Sequence, residues 1–373
     1  MKLSAPGKVF LAGEYAVLDG APALVAGLDL RLHAELEPAS RTELVHGASG
    51  ARWESGPVPA ELRFAKAGLD LAARLCAEEG LPPRALRLVF ENDFAHDGCK
   101  LGLGGSAAAA VIGVRAACAA HGRNVTDAEV LALAAAAHWA EQGGSGSGGD
   151  VAACALGGVL RVRALHAWRS AEGVLQTPAR FLAKATPVEA VRLRVPDDLR
   201  LLLVFTGAPA DSRALVRAVK AFAAARPARW KHHAGRIAAA SAALEHALTG
   251  AARTTADSGE PASTTVSPAA TPAVSAAGTS ALREAALDAV RQGAAAMAAL
   301  GAEAGVAIVT EALQRACAVA ASAGAAAKPS GAGGGDCAVA LCFGDAALAE
   351  LERAFFGLFP VLRASPASAT PSR

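Results

Sequence analysis

The stretch from Lys100 to Ala110 constrains the chain most. It reads Lys-Leu-Gly-Leu-Gly-Gly-Ser-Ala-Ala-Ala-Ala, with glycines at 102, 104 and 105 leading into Ser106 and then an alanine-rich run to about His121. Alanine is the strongest helix former, so a helix is expected to begin where the glycines end. Glycine lets the preceding backbone turn sharply and approach other groups without a β-carbon in the way. The first amides of such a helix lack internal partners and carry about half a positive charge, which makes an anion site. Ser106, where loop becomes helix, would place its hydroxyl toward a phosphate or toward a cation bound to one.

Two further glycine-rich segments share this character. Gln142-Gly-Gly-Ser-Gly-Ser-Gly-Gly-Asp150 supplies Ser145, Ser147 and a carboxylate, and Lys328-Pro-Ser-Gly-Ala-Gly-Gly-Gly-Asp336-Cys337 supplies a lysine and a second carboxylate. Arginine outnumbers lysine 28 to 8, yet Lys8, Lys100 and Lys328 all stand beside glycine-rich segments. A chain that otherwise uses arginine places a compact ammonium at each of them. Three such loops with neighbouring charges suit a nucleotide and a second anionic ligand, because phosphoryl transfer needs chiefly positioning and charge neutralisation. None of the loops matches Gly-x-x-x-x-Gly-Lys-Ser/Thr, and the first lacks the spacing of a dinucleotide fingerprint.

The remaining composition narrows the class. With 373 residues the chain can hold two domains, and a net charge of +2 without a basic run leaves no nucleic-acid footprint. No apolar run reaches the ~20 residues of a membrane span. Lys8, Glu14 and Asp19 interrupt any secretory signal at the N-terminus, so a soluble cytoplasmic protein is expected. The seven cysteines form no Cys-x-x-Cys pair and read as buried thiols in a reducing compartment. The nine histidines show no ligand spacing for structural zinc.

Periodicity gives an outline. Ser4 to Lys8 reads as a short strand, with Pro6-Gly7 as a turn aiming Lys8 inward. Leu28 to Glu37 alternates completely, apolar on one face and polar on the other, as a half-buried strand of an antiparallel or mixed sheet does. Helices are expected over 62–79, 127–141 with Thr126 as cap, 213–225, 230–248, 280–300, 306–323 and 346–356. Strands are expected at 86–90, 159–163, 192–195, 201–205 and from 337 through Phe343. The segment 254–279 is rich in Thr, Ser, Pro and Ala and reads as a disordered insertion. The architecture is α+β, with domains at 1–185 and 186–363 and a flexible tail at 364–373.

Ala5-Pro-Gly-Lys8-Val-Phe-Leu-Ala-Gly-Glu14-Tyr-Ala-Val, Gly102-Leu-Gly-Gly-Ser106-Ala-Ala and Gly331-Ala-Gly-Gly-Gly-Asp336 together resemble the three signature motifs of the GHMP kinases, in the family's order. The resemblance is strongest to the branch that acts on 5-phosphomevalonate, through Lys100, Thr206-Gly207-Ala-Pro-Ala-Asp-Ser212 and the Lys328 to Cys337 segment. It implies an N-terminal domain like domain two of ribosomal protein S5, a ferredoxin-like C-terminal domain, and ATP and substrate in the cleft between. By the same resemblance Lys8 and Asp150 form the catalytic pair. Lys100, Gly102, Leu103, Gly104, Gly105, Ser106, Ala107 and Ala108 would bind ATP, and Ser106 would help hold Mg²⁺. Glu14, Tyr15, Ser145, Ser147, Ser212, Lys328, Gly331, Ala332, Gly333 and Gly334 would line the substrate side.

Two departures stand out. Only one hydroxyl is present where the family pairs two serines, and Glu141 is the available candidate for the carboxylate that assists Mg²⁺. The implied activity is phosphorylation of 5-phosphomevalonate to the 5-diphosphate, with mevalonate kinase or an inactive nucleotide-binding relative as the alternatives. A phosphate acceptor brings two anions together, and two unit charges ~4 Å apart cost roughly 4 kcal/mol at an effective dielectric near 20. Lys8, Lys100, Lys328 and Arg213 are therefore expected at the site. The partner is a small phosphorylated molecule, and a homodimer is compatible with the reading.

Overall fold

The computed structural model describes residues 1–92, 94–96, 99–166, 177–184, 187–207, 211–256, 276–335 and 337–367. They divide into two compact units. The first takes Met1–Phe10, Ala16–Val191 and the chain end from Pro366; the second takes Leu11–Tyr15 and Arg192–Ser365.

The first unit is a mixed sheet covered by helices. Its elements are β1 (Lys2–Ala12), β2 (Ala23–Pro38), β3 (Glu43–His46), β4 (Arg52–Trp53), α1 (Arg63–Glu78), β5 (Leu86–Phe90), β6 (Ala95–His96) and β7 (Cys99–Lys100). Then follow α2 (Gly105–Ala120), α3 (Asp127–Glu141), α4 (Gly149–Leu156), β8 (Val159–Ala164), α5 (Pro178–Lys184) and β9 (Val188–Arg192). The sheet runs β4-β3-β5-β2-β8-β9, with β1 also on β2. β2 is antiparallel to β5 and β8, whereas β3 is parallel to β5. The alternation read from the sequence explains the register. Leu28, Leu32, Ala34 and Leu36 are buried while Asp29 and His33 face solvent.

Small residues set how closely the helices approach. A β-carbon on Gly113 would overlap the carbonyl oxygen of Ala65, and one on Gly68 that of Ala110, so α1 and α2 meet backbone to backbone. Beneath them lies a core in which Ala107, Ala110, Val111, Ile112 and Val114 of α2 are fully buried. α3 begins on a capping box: Thr126 Oγ1 accepts from Glu129 N at 3.2 Å, and Glu129 Oε2 accepts from Thr126 N at 2.8 Å.

The second unit contains β10 (Leu199–Phe205), α6 (Ser212–Ala225), α7 (Pro227–Ala256), α8 (Ala276–Ala304), α9 (Glu311–Ser322), β11 (Ala326–Pro329), β12 (Cys337–Phe343), α10 (Asp345–Phe355) and β13 (Val361–Ala364). Its sheet runs β11-β12-β10-β13 and is antiparallel throughout. Leu202, Val204, Ala338 and Ala340 pack against Leu313 and Ala316 of α9 and Leu351 and Phe355 of α10. Among the described residues no helix is long and apolar enough to cross a membrane.

Three local expectations are corrected. Pro6-Gly7 makes no turn: both lie inside the continuous strand β1. Gly7 is there for close approach, since a β-carbon would stand 3.2 Å from both the Leu30 carbonyl oxygen and the Phe94 ring. The strand expected at 192–195 is found at Val188–Arg192. The start of the tail is held by backbone pairing, which side-chain pattern does not reveal: Ala364 pairs with Leu201, Pro366 bridges Leu28, and Ala367 N donates to Gly27 O at 2.7 Å. The insertion at 254–279 lies largely outside the described residues, with α7 continuing to Ala256 and α8 starting at Ala276.

Gly113→Ala should lower the unfolding free energy by about 1–3 kcal/mol, the usual result of forcing a methyl into a packed core. Gly235→Ala, on α7 where nothing lies within 4 Å, should raise it by about 0.5–1 kcal/mol. Urea denaturation of the two variants beside the wild type checks both signs.

Candidate active site

The first glycine loop is built against strand β1. Gly102 and Gly104 have φ of 67° and 83°, the left-handed region that glycine enters without strain. Gly104 caps α2 with no side-chain hydrogen bond to the first amides, and the buried Leu103 plugs the loop from below. Lys8 N donates to Leu103 O at 2.8 Å, and Lys8 Nζ donates to Gly102 O at 3.2 Å. A β-carbon on Gly104 would stand 2.6 Å from Lys8 Cγ, so the lysine stem fills the space a side chain would take. The lysine and the anion-binding helix end are thereby one structure. Lys100 pairs with Ala95 in the β6–β7 ribbon, and its side chain lies outside the described residues.

The second loop turns on four left-handed glycines, 143, 144, 146 and 148. Gly148 caps α4, again without a side-chain cap, and Asp150 falls in its first turn, where a carboxylate is favoured by the helix dipole. Asp150 Oδ1 accepts from Val151 N at 2.9 Å, and Oδ2 stands 3.8 Å from His138 Nε2. Ser147 Oγ accepts from Gly149 N at 3.2 Å, and Ser145 Oγ donates to Gln142 O at 3.1 Å. Both hydroxyls thus brace the loop. Cys154 lies buried beneath, its Sγ 4.0 Å from Gly104 O. Burial and then the Asp150 charge push its thiol well above the ordinary range, against the pull of Lys8, Arg31 and Arg115. It is an inert thiol by that measure.

Sequence reasoning missed the residue that joins the two loops. His138 on α3 is 3% exposed, and its Nε2 lies 3.1 Å from Ser106 Oγ and 3.3 Å from Gln142 Nε2. The one available signal was a polar ring ending the buried run Val130–Ala137. Glu141, expected beside Ser106 as a metal-assisting carboxylate, is engaged elsewhere. Its Oε1 stands 3.5 Å from Arg63 Nη1 on α1, in a cavity also lined by Lys66, Asp70 and Arg74.

In the second unit the third loop is folded on its own anchors. Lys328 is 1% exposed and Glu14 3%, and the two form a buried ion pair. Lys328 Nζ also donates to Pro329 O at 2.5 Å, and Gly331 N donates to Glu14 Oε1 at 3.4 Å. Gly334 N donates to Ile308 O at 2.8 Å, and a β-carbon on Gly333 would overlap that same oxygen. Tyr15, at φ 62°, donates its hydroxyl to Ala332 O at 2.5 Å. Burial first, then the Glu14 charge, raises its phenol above the ordinary range. Lys328 is expected from the sequence as a cation offered to substrate; in this structure its ammonium is paired with Glu14. Tyr15 likewise holds the loop with its only polar atom. Ser212 is exposed at the start of α6, whose cap is Asp211 accepting from Ala214 N at 2.9 Å. Asp336 lies outside the described residues.

Removing one member of a buried pair typically costs about 3–5 kcal/mol, whereas replacing both with apolar groups can be near neutral. Lys328→Met should therefore destabilise the protein by about that amount. The double variant Glu14→Leu with Lys328→Met should recover at least half of the loss. Equilibrium denaturation of both variants decides the point.

Comparison with known proteins adds a second line of evidence. The family models described as "GHMP kinases N terminal domain" and "GHMP kinases C terminal" match residues 66–158 and 279–360. A phosphomevalonate kinase from a Streptomyces species is 32% identical over 361 residues, covering 90% of this chain and 88% of its own. A mevalonate kinase from Aeropyrum pernix is 29% identical over 164 residues, 43% of this chain and 50% of its own. Among solved structures, Streptococcus pneumoniae phosphomevalonate kinase in complex with phosphomevalonate and AMPPNP superimposes with a TM-score of 0.81 at 20% identity, over 98% of this chain and 100% of that one. The left-handed glycine loop seated on Lys8, the mixed α+β fold and these relatives agree, and the chain belongs to the GHMP kinase family.

Proposed function

We propose that the protein transfers the γ-phosphoryl group of ATP to 5-phosphomevalonate, giving the 5-diphosphate and ADP. The observation that carries the phosphoryl-transfer part lies in the first unit. Two helices, α2 and α4, are each entered through a left-handed glycine without a side-chain cap, with Lys8 against one and Asp150 on the other. The choice of acceptor is supported by the Streptomyces relative, which is similar over nearly the whole chain.

In this reading residues 102–108 take the nucleotide phosphates on the amides of α2, and Lys8 neutralises charge as it develops on the transferred group. Ser145, Ser147 and Asp150 stand on the acceptor side. The third loop, framed by Glu14, Tyr15 and Lys328, is proposed to offer its remaining amides to the acceptor, and Ser212 its hydroxyl. A phosphate acceptor has a second pKa of about 6 and is already mostly ionised at neutral pH. Asp150 then orients the acceptor rather than removing an obligatory proton.

The residues present fit a nucleotide-borne Mg²⁺. Among the described residues no cluster of three His, Cys, Asp or Glu could hold a metal by itself. A Mg²⁺ carried by phosphates needs only one or two protein oxygens, which the Ser106 hydroxyl and the Asp150 carboxylate can supply. When bound, it would neutralise the phosphate oxygens between donor and acceptor.

Mevalonate as acceptor is the second reading, favoured by the Aeropyrum pernix relative. Its alcohol must lose a proton during attack, so Asp150 would become a base. ADP release with ATP and mevalonate, 5-phosphomevalonate, galactose or homoserine separates these readings, and turnover is expected with 5-phosphomevalonate alone. Lys8→Met should lower kcat/KM by about 10²–10³, the scale of losing one electrostatic stabiliser. Asp150→Asn should lower it less, and the opposite order would favour an alcohol acceptor.

A further inference from the structure

We propose that His138 is a positioning residue for the nucleotide side of the site: its Nε2 accepts a hydrogen bond from the Ser106 hydroxyl and so turns the serine lone pairs toward the phosphate-bound cation. The inference rests on the kinase reading above and extends it to a side chain that no glycine motif contains.

Three polar groups converge on one ring nitrogen. Ser106 Oγ lies 3.1 Å from His138 Nε2, Gln142 Nε2 lies 3.3 Å away, and Asp150 Oδ2 lies 3.8 Å away. A neutral imidazole nitrogen is either a donor or an acceptor, never both. The Gln142 amide nitrogen can only donate, and the Asp150 carboxylate stands beyond hydrogen-bond range, so we assign Nε2 as the acceptor and Nδ1 as the protonated nitrogen. The serine hydroxyl then meets a lone pair too, and its own proton must point at the ring. A hydroxyl with its proton committed in one direction presents only oxygen lone pairs in the others. That is what a hard cation needs from a protein ligand.

The ring is held firmly enough to impose this. His138 is 3% exposed, and its ring centroid lies 4.8 Å from that of Phe64 at 33°. Gln142, one helical turn on, approaches the same nitrogen, so the acceptor has a second fixed neighbour. Ser106 itself stands in the first turn of α2, whose position is set by the Gly104–Lys8 contact. The place expected of Glu141 is thus taken by the His138 ring, which acts on the serine.

A binding cycle with AMPPNP, which needs no acceptor substrate, tests the proposal. His138→Phe keeps the ring and its contact with Phe64 but removes the nitrogen. It should weaken AMPPNP binding in the presence of Mg²⁺ about tenfold, the scale of one hydrogen bond, and by less than about twofold without Mg²⁺. His138→Gln, which restores an acceptor oxygen, should recover most of the loss. In a Ser106→Ala background His138→Phe should add nothing, since the group it acts through is gone. If His138→Phe does not fold, His138→Met fills the space flexibly and carries the same comparison. Unchanged affinity with Mg²⁺, equal losses with and without it, or a full effect in the Ser106→Ala background would each overturn the proposal. A wild type that binds Mg²⁺ and AMPPNP but phosphorylates no acceptor would overturn the choice of substrate, while the binding cycle still decides the role of His138.

Discussion

The site depends on a lysine stem occupying the space left by a missing β-carbon. Gly104 must be left-handed to start α2 at the angle observed, and it must be bare to admit Lys8. The Lys8 backbone holds Leu103 while its ammonium holds Gly102, so one residue of β1 fixes both the course of the loop and the charge beside it. An anion at this helix end meets donors that are already in place. Little reorganisation is then required when charge moves during reaction.

What was legible in the sequence was local. The glycine spacing of the first loop, the Thr126 cap and the alternation of β2 each follow from rules acting over a few residues, and each appears where those rules place it. What was not legible was pairing across long separations. Lys328 read as an available cation because its partner, Glu14, lies 314 positions away. Glu141 stood as the candidate metal-assisting acid although its spacing from Asp150 differs from the family's, and its contact with Arg63 could not be read from the sequence. His138 escaped notice since an imidazole inside an alanine run is ordinary until its neighbours in space are known. The start of the C-terminal tail was misjudged for a related reason: backbone pairing holds it, and side-chain pattern is silent about that.

The first and third loops reach order by different means. The first is shaped by a neighbouring strand and leaves the N-terminal amides of its helix without a side-chain cap. The third uses the amides of Gly331 and Gly334, the Ala332 carbonyl and a fully buried ion pair to fix its own course. Such a pair is weak evidence for stability, because desolvating both charges offsets most of their attraction. Its clearer effect is on uniqueness: once the loop is seated, any shift that parts Lys328 from Glu14 leaves a charge without compensation.

The way the chain threads between its compact units has a consequence for biosynthesis. Leu11–Tyr15 belongs with the unit that begins again at Arg192, and the segment from Pro366 returns to the unit begun at Met1. Glu14 is synthesised 314 residues before its partner Lys328 and must wait for it, while Gly27 waits for Ala367. Neither unit is therefore encoded by one uninterrupted span of the gene. A nascent chain would carry both units incomplete until these later segments emerge, and a cut at the 191–192 junction would yield two fragments that each lack a piece of themselves.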